Sequence, residues 1–176
     1  MPRMNPDIPE PAVTIPDTVA LATVVEARLH DSLNSFELPG ARLYGVTLTD
    51  IAAIDTDPSS AFRLCFLAQH PDVYDLLDSP TSALGRMFDA AAVVTTGWAA
   101  PLGADGQPEG APSEHADRRR VRLIVVVSDA GVASVVRFAD EPTEIVTDAG
   151  SATGSLADAI NGFWENGSTS NAAQSQ

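Results

Sequence analysis

Five of the ten basic residues of this chain lie between His115 and Phe138, in HADRRRVRLIVVVSDAGVASVVRF. All ten are arginine, set against sixteen aspartates and eight glutamates, and the formal net charge is −14. Arg118, Arg120 and Arg122 alternate, as residues on one side of a strand do, and Arg137 returns on the following segment. A guanidinium offers a planar fork of donors that fits a carboxylate or a phosphate. The chemistry open to this spacing is therefore grip on an anion. His115, just ahead of the run, is the nearest acid–base group.

The elements that must hold these arginines can be read pair by pair. A turn centred on Asp129 and Ala130 sets Val127 opposite Val132, then Val125 opposite Ser134, Leu123 opposite Val136 and Val121 opposite Phe138. That side is almost continuously apolar and belongs against helices. The other side pairs Val126 with Ala133, Ile124 with Val135, and then Arg122 with Arg137. A slip of one residue would carry the apolar set into water, so burial fixes the register. Like charges directly opposed across a strand pair cost up to ~1 kcal/mol. Something negative must approach Arg122 and Arg137. Two sources stay open: the chain's own twenty-four carboxylates, or an external anion or acidic partner segment.

Other candidate chemistry is thinner. His115 with Asp117 has the makings of a dyad, but His30 and His70 are distant and no metal-ligand spacing occurs. A solvated loop histidine is the plain alternative. GADG at 103–106 does not join a strand to a helix, as a dinucleotide loop must. DTD at 55–57 lacks the glycine and distant glutamate of a calcium loop. No serine sits in a Gly-x-Ser-x-Gly elbow. Cys65 is the single cysteine, which excludes an internal disulfide, and its apolar setting reads as inert packing. Trp98 and Trp164 read as core residues, with an interface as the alternative. The expectation is no catalytic set, no metal and no cofactor.

Around the hairpin, residues 1–13 are proline-rich and read as a disordered arm, 14–165 as one globular domain, and 166–176 as a disordered polar tail. Leu21, Val25, Leu29 and Leu33 recur every four residues in a helix over 17–34, capped by Thr14 or Asp17 and stopped by the LPG at 38–40. ARLYGVTLTD alternates as a strand. The segment 58–69 is ambiguous: Asp57-Pro58 opens a helix, while Phe62, Leu64 and Phe66 alternate as in a strand, and helix is the expectation. Further helices are expected in HPDVYDLL and in SPTSALGRMFDAA, the latter with an apolar stripe of Leu84, Met87 and Phe88. AAVVTTGW is a strand. The loop 99–117 exceeds the usual ~4–6 residues, and its Gly, Pro and Ala content points to disorder. EIVTD supplies a short strand, and GSLADAINGFWEN a closing helix. Short turns between strands give antiparallel pairing. The fold class is α+β: a three- to four-strand, mostly antiparallel sheet with helices packed on one face.

HPDVYDLL, VVTTGWAAPL and RRRVRLIVVVSDAGVASVVRF together resemble a set of uncharacterised actinobacterial α+β proteins. The resemblance covers about 70–138 and implies a GC-rich bacterial origin. It carries over no catalytic residue.

Composition narrows the function classes. An acidic body lacks the cationic charge that displaces counterions from nucleic acid, and it is repelled by acidic membrane surfaces. No apolar run approaches the ~18 residues of a membrane span, and MPRMNPDIPEP does not read as a signal peptide. The expectation is a cytoplasmic, non-enzymatic binding or regulatory module. It would act on another protein through Arg118, Arg120, Arg122, Arg137 and His115. The alternatives are a sensor or enzyme for a small phosphate- or carboxylate-bearing ligand, and a structural homo-oligomer.

Overall fold

The computed structural model describes residues 17–147 and 155–173. The expected arm at 1–13 lies outside them. In chain order the elements are α1 (Thr18–Ser32), β1 (Ala41–Leu48), a one-turn α2 (Pro58–Ala61), β2 (Phe62–His70), α3 (Val73–Asp78), β3 (Ala90–Ala99), β4 (Arg119–Ser128), β5 (Gly131–Phe138), β6 (Ile145–Thr147) and α4 (Ser155–Ala173). The strands form one antiparallel sheet in the order β2-β1-β3-β4-β5-β6.

That is six strands where three or four were expected, and the added ones have identifiable causes. Asp57-Pro58 does open a helix, but only for one turn. The alternation of Phe62, Leu64 and Phe66 then prevails, and 62–70 pairs along the whole of β1 as an edge strand. A register shift opposite Leu43/Tyr44 bends it, as a bulge does. β6, from the EIVTD segment, closes the opposite edge with three residues. Cys65 lies exposed on β2 rather than packed.

Helices cover both faces of the sheet, not one. Over one face, Leu21, Ala22, Val25 and Leu29 of α1 meet Tyr44, Val46, Ala92, Val94, Ile124, Val126 and Val135. Over the other, Leu76 and Leu77 of α3 and Ile160 and Phe163 of α4 meet Leu43, Val93, Val125, Val127 and Val132. The central strands are therefore apolar on both sides, which explains the unbroken valine run of β4. Burial of each side chain removes apolar area worth about 25 cal/mol per Å2, on two faces at once.

Local chemistry sets the element ends. Asp17 caps α1 by accepting from the Val19 amide at 3.0 Å. Asp72 caps α3, accepting from the amides of Tyr74 and Asp75, with Pro71 outside the helix. Residues 80–87 form a 3-10 helix instead of an α-helix. The expected stripe is not buried there: Leu84 and Met87, three residues apart and so eclipsed on one face of a 3-10 helix, are both exposed, and Ser82 and Gly85 are the buried positions. Phe88 instead lies over Gly45 of β1, where any Cβ would collide with its ring. α4 continues past 165, where a tail was expected.

The β4–β5 hairpin pairs in the register that its sequence dictates, from Ser128 opposite Gly131 through Arg122 opposite Arg137 to Val121 opposite Phe138. Gly131 takes φ +129° as the turn enters β5, a conformation that disfavours side-chain-bearing residues. At that end Thr18 Oγ1 lies 3.2 Å from Ser128 Oγ. α1 thus starts over the turn and runs toward the arginines.

Candidate functional site

The sheet alternation puts Arg118, Arg120 and Arg122 on the α1 side together with Thr96 and Trp98 of β3, whose Cα partners are Arg122 and Arg120. Arg137 lies beside Arg122 on β5. The side facing these arginines carries Glu26 and His30, one turn apart on α1. They flank the Leu21/Val25/Leu29 stripe at the positions that follow Ala22 every four residues. The arginine face is therefore not an open one.

At the inner end, Arg137 grips Glu26 with two parallel bonds, Nε to Oε1 at 2.6 Å and Nη2 to Oε2 at 2.5 Å. Its Nη1 donates to the Pro142 carbonyl. Arg122 Nη2 lies 3.8 Å from Glu26 Oε1 and 2.8 Å from His30 Nδ1. For that contact to be a hydrogen bond, Nδ1 must be the unprotonated acceptor. The Arg122 guanidinium also lies over the Phe36 ring, 5.0 Å from its centroid. Glu26 and Arg122 are each 1% exposed, and Arg137 is 8% exposed. Burial pulls the Arg122 guanidinium below its ordinary pKa; Glu26 opposes this and Arg137 adds to it. The Glu26 hydrogen bonds raise that of Arg137. Two cations thus share one carboxylate in a desolvated place, and Arg122 Nε has no partner among the described residues.

The negative group that must approach Arg122 and Arg137 is therefore Glu26, from the chain itself. Sequence reasoning missed it, although a signal was present: an acid and a histidine four residues apart, bordering an apolar stripe.

At the outer end the contacts loosen. Arg120 pairs with Glu37, Nε to Oε1 at 2.6 Å, and reaches Thr96 Oγ1 at 3.3 Å. The hydrogen bonds of this pair raise the pKa of Arg120 and lower that of Glu37. Arg119, on the opposite side of the strand, holds Asp140 with bonds of 2.9 to 3.2 Å, has Glu141 and Glu144 within 3.7 Å, and lies over the Phe138 ring.

Arg118 and Arg120 both lie 5.0 Å from the centroid of Trp98. Trp98 is 40% exposed, not a core residue, whereas Trp164 is half-buried and donates from Nε1 to Asp129 at 3.0 Å. Arg118 donates to the His115 carbonyl at 3.3 Å and makes no ion pair among the described residues. His115 shapes the approach to β4: its Nδ1 accepts from the Asp117 amide at 3.0 Å, and its carbonyl accepts from the Arg118 amide. The 99–117 segment is built from such turns, including Gly103 to Gln107 and a 3-10 turn at 112–114, where disorder was expected.

No group of three or more His, Cys, Asp or Glu fit to hold a metal ion occurs among the described residues. No helix among them is long and apolar enough to cross a membrane. The chain matches no family model, no curated protein and no solved structure.

Proposed function

We propose that this protein is a non-enzymatic binding module that takes an acidic segment of a partner protein on the outer end of the arginine row. Trp98 and Arg118 form the contact, and Arg120 lies against the same Trp98 ring. The observation that carries this reading is Arg118 itself. In a chain with twenty-four carboxylates, its guanidinium lies on a part-exposed tryptophan and, among the described residues, pairs with none of them. Trp and Arg are the residue types that most often dominate interface energies, and an Arg–carboxylate pair beside an aromatic face is stronger than one in open water. Leu102, in the loop that follows β3, adds exposed apolar surface to the same end of the strand.

Arg122 and Arg137 serve this reading as foundation. Held by Glu26 under α1, they fix the strand ends from which Trp98 and Arg118 project.

The test is a titration of a synthetic array of dye-labelled Asp- and Glu-rich peptides, followed by the shift in fluorescence anisotropy of the label. The expected result is a shift with selected acidic peptides that is weakened at least about tenfold in Trp98→Ala and in Arg118→Ala, the range of an interface hot spot. No shift with any acidic peptide, or equal binding by both variants, would overturn the reading.

A further inference from the structure

On the α4 side of the sheet, away from the arginine row, a cavity of about 330 Å3 opens between α3, the 3-10 helix at 80–87 and α4, lined in part by Tyr74, Asp78, Arg86, Asp158, Gly162 and Phe163. It suits one small molecule and lies at the lower end of ligand-site sizes.

The lining carries both signs of charge, and they do not neutralise one another. Arg86 donates from Nε to the Phe163 carbonyl at 2.6 Å and lies over the Phe163 ring at 4.8 Å. These two contacts fix the plane of the guanidinium. Arg86 has no ion pair among the described residues, although Asp78 and Asp158 line the same cavity. Neither aspartate is ion-paired among those residues. Tyr74 is held by its hydroxyl, 2.9 Å from Ser155 Oγ, so its ring is a fixed wall. Phe163 is buried against the core. At Gly162 an added Cβ would meet nothing within 4 Å, so the missing side chain leaves the space open.

We infer that this cavity binds a small zwitterion of the free amino acid class. The carboxylate of such a molecule would take the two Nη donors of Arg86 as a fork. Its ammonium would be held by Asp78 and Asp158, and its side chain would lie against Tyr74. A lone anion would face two aspartates, and a lone cation would face Arg86. A molecule with both charges answers each.

Isothermal titration calorimetry and thermal melting of the full chain, with the proteinogenic amino acids as probes, test this. The expected result is heat and a raised melting temperature with at least one of them. Its methyl ester and its N-acetyl derivative, each lacking one charge, should bind at least tenfold more weakly. Asp78→Asn/Asp158→Asn should weaken binding by a similar factor. Gly162→Leu, whose Cβ meets nothing within 4 Å and which suits a helix interior, should abolish binding while leaving the melting temperature unchanged or raised. Binding by none of the amino acids, equal binding of the singly charged derivatives, or undiminished binding by folded Gly162→Leu would each overturn the inference. None of these measurements involves Trp98 or Arg118.

Discussion

Arg122 and Arg120 stand two residues apart on one strand and point to the same side of the sheet. The side chain of Arg122 is 2% exposed and its carboxylate partner 1%; the corresponding values for Arg120 and Glu37 are 27% and 57%. Residue type and strand position are equivalent. What differs is the cover: α1 lies over Arg122 and presents Glu26, with Phe36 against the guanidinium, while Arg120, beyond the end of α1, meets Glu37 from the segment that follows the helix. The inner cluster is consequently an electrostatic structure that the fold cannot lose cheaply, and the outer one is a surface that can exchange partners. A run of arginines spans both roles.

The largest effect that separates the two ends should come from Glu26. Glu26→Ala leaves two guanidinium groups desolvated without a counter-charge. Removing one member of a buried pair costs ~3–5 kcal/mol, so the urea midpoint should fall steeply. A loss below ~1 kcal/mol would mean that the inner cluster is as screened as the outer. Next in size is a contrast between the two inner arginines. Arg137→Met removes the bidentate partner of Glu26 and should cost a similar ~3 kcal/mol. Arg122→Met removes the surplus cation, whose Nε is unpartnered, and should stay within ~1 kcal/mol of the parent because an apolar replacement of similar length ends a desolvation cost. Equal losses in the two variants would contradict the assignment of Arg137 as the true partner.

Smaller still is the outer pair. Glu37→Gln should change stability at neutral pH by only ~0–1 kcal/mol, since the carboxylate is mostly in water and screened. Its signature is pH. Because Arg120 holds the folded-state pKa of Glu37 below its ordinary value, the pair contributes above the unfolded carboxylate value of ~4.3 and is lost as pH falls through the folded value. Denaturation of Glu37→Gln should therefore show a shallower loss of stability on acidification below about pH 4.3. An unchanged slope would remove the pair from the stability account. Smallest of all, Arg118→Ala should stay within about 0.5 kcal/mol, as surface substitutions usually do. A thermal or urea melt checks it, and a larger loss would make Arg118 structural.

Much of this arrangement is legible in the residues. The pairing of β4 with β5 follows from alternation alone, since only one register buries both apolar rows. Asp17 as a cap and the Leu21/Val25/Leu29 stripe are equally local. The misread parts depend on what packs against what. Phe62 to His70 follows a good helix-opening pair, and only its pairing with β1 decides for the strand. The unbroken run Leu123 to Val127 carries the sign of a strand covered on both faces, but a hairpin read by itself leaves one face open. Glu26 is the instructive miss. An acid beside an apolar stripe reads as a solvated flank, until two strands from far along the chain bring the guanidinium groups of Arg122 and Arg137 to it.

That distance has a kinetic side. Glu26 and Arg137 are 111 residues apart, so their contact closes a long loop between the first helix and the last long strand. Contacts of such high sequence separation close late and slow the search. On a chain being synthesised, α1 emerges with its carboxylate still hydrated and waits for nearly the whole sheet. Variants of this pair should accordingly accelerate unfolding more than they retard refolding, which is the pattern for contacts absent from the transition state.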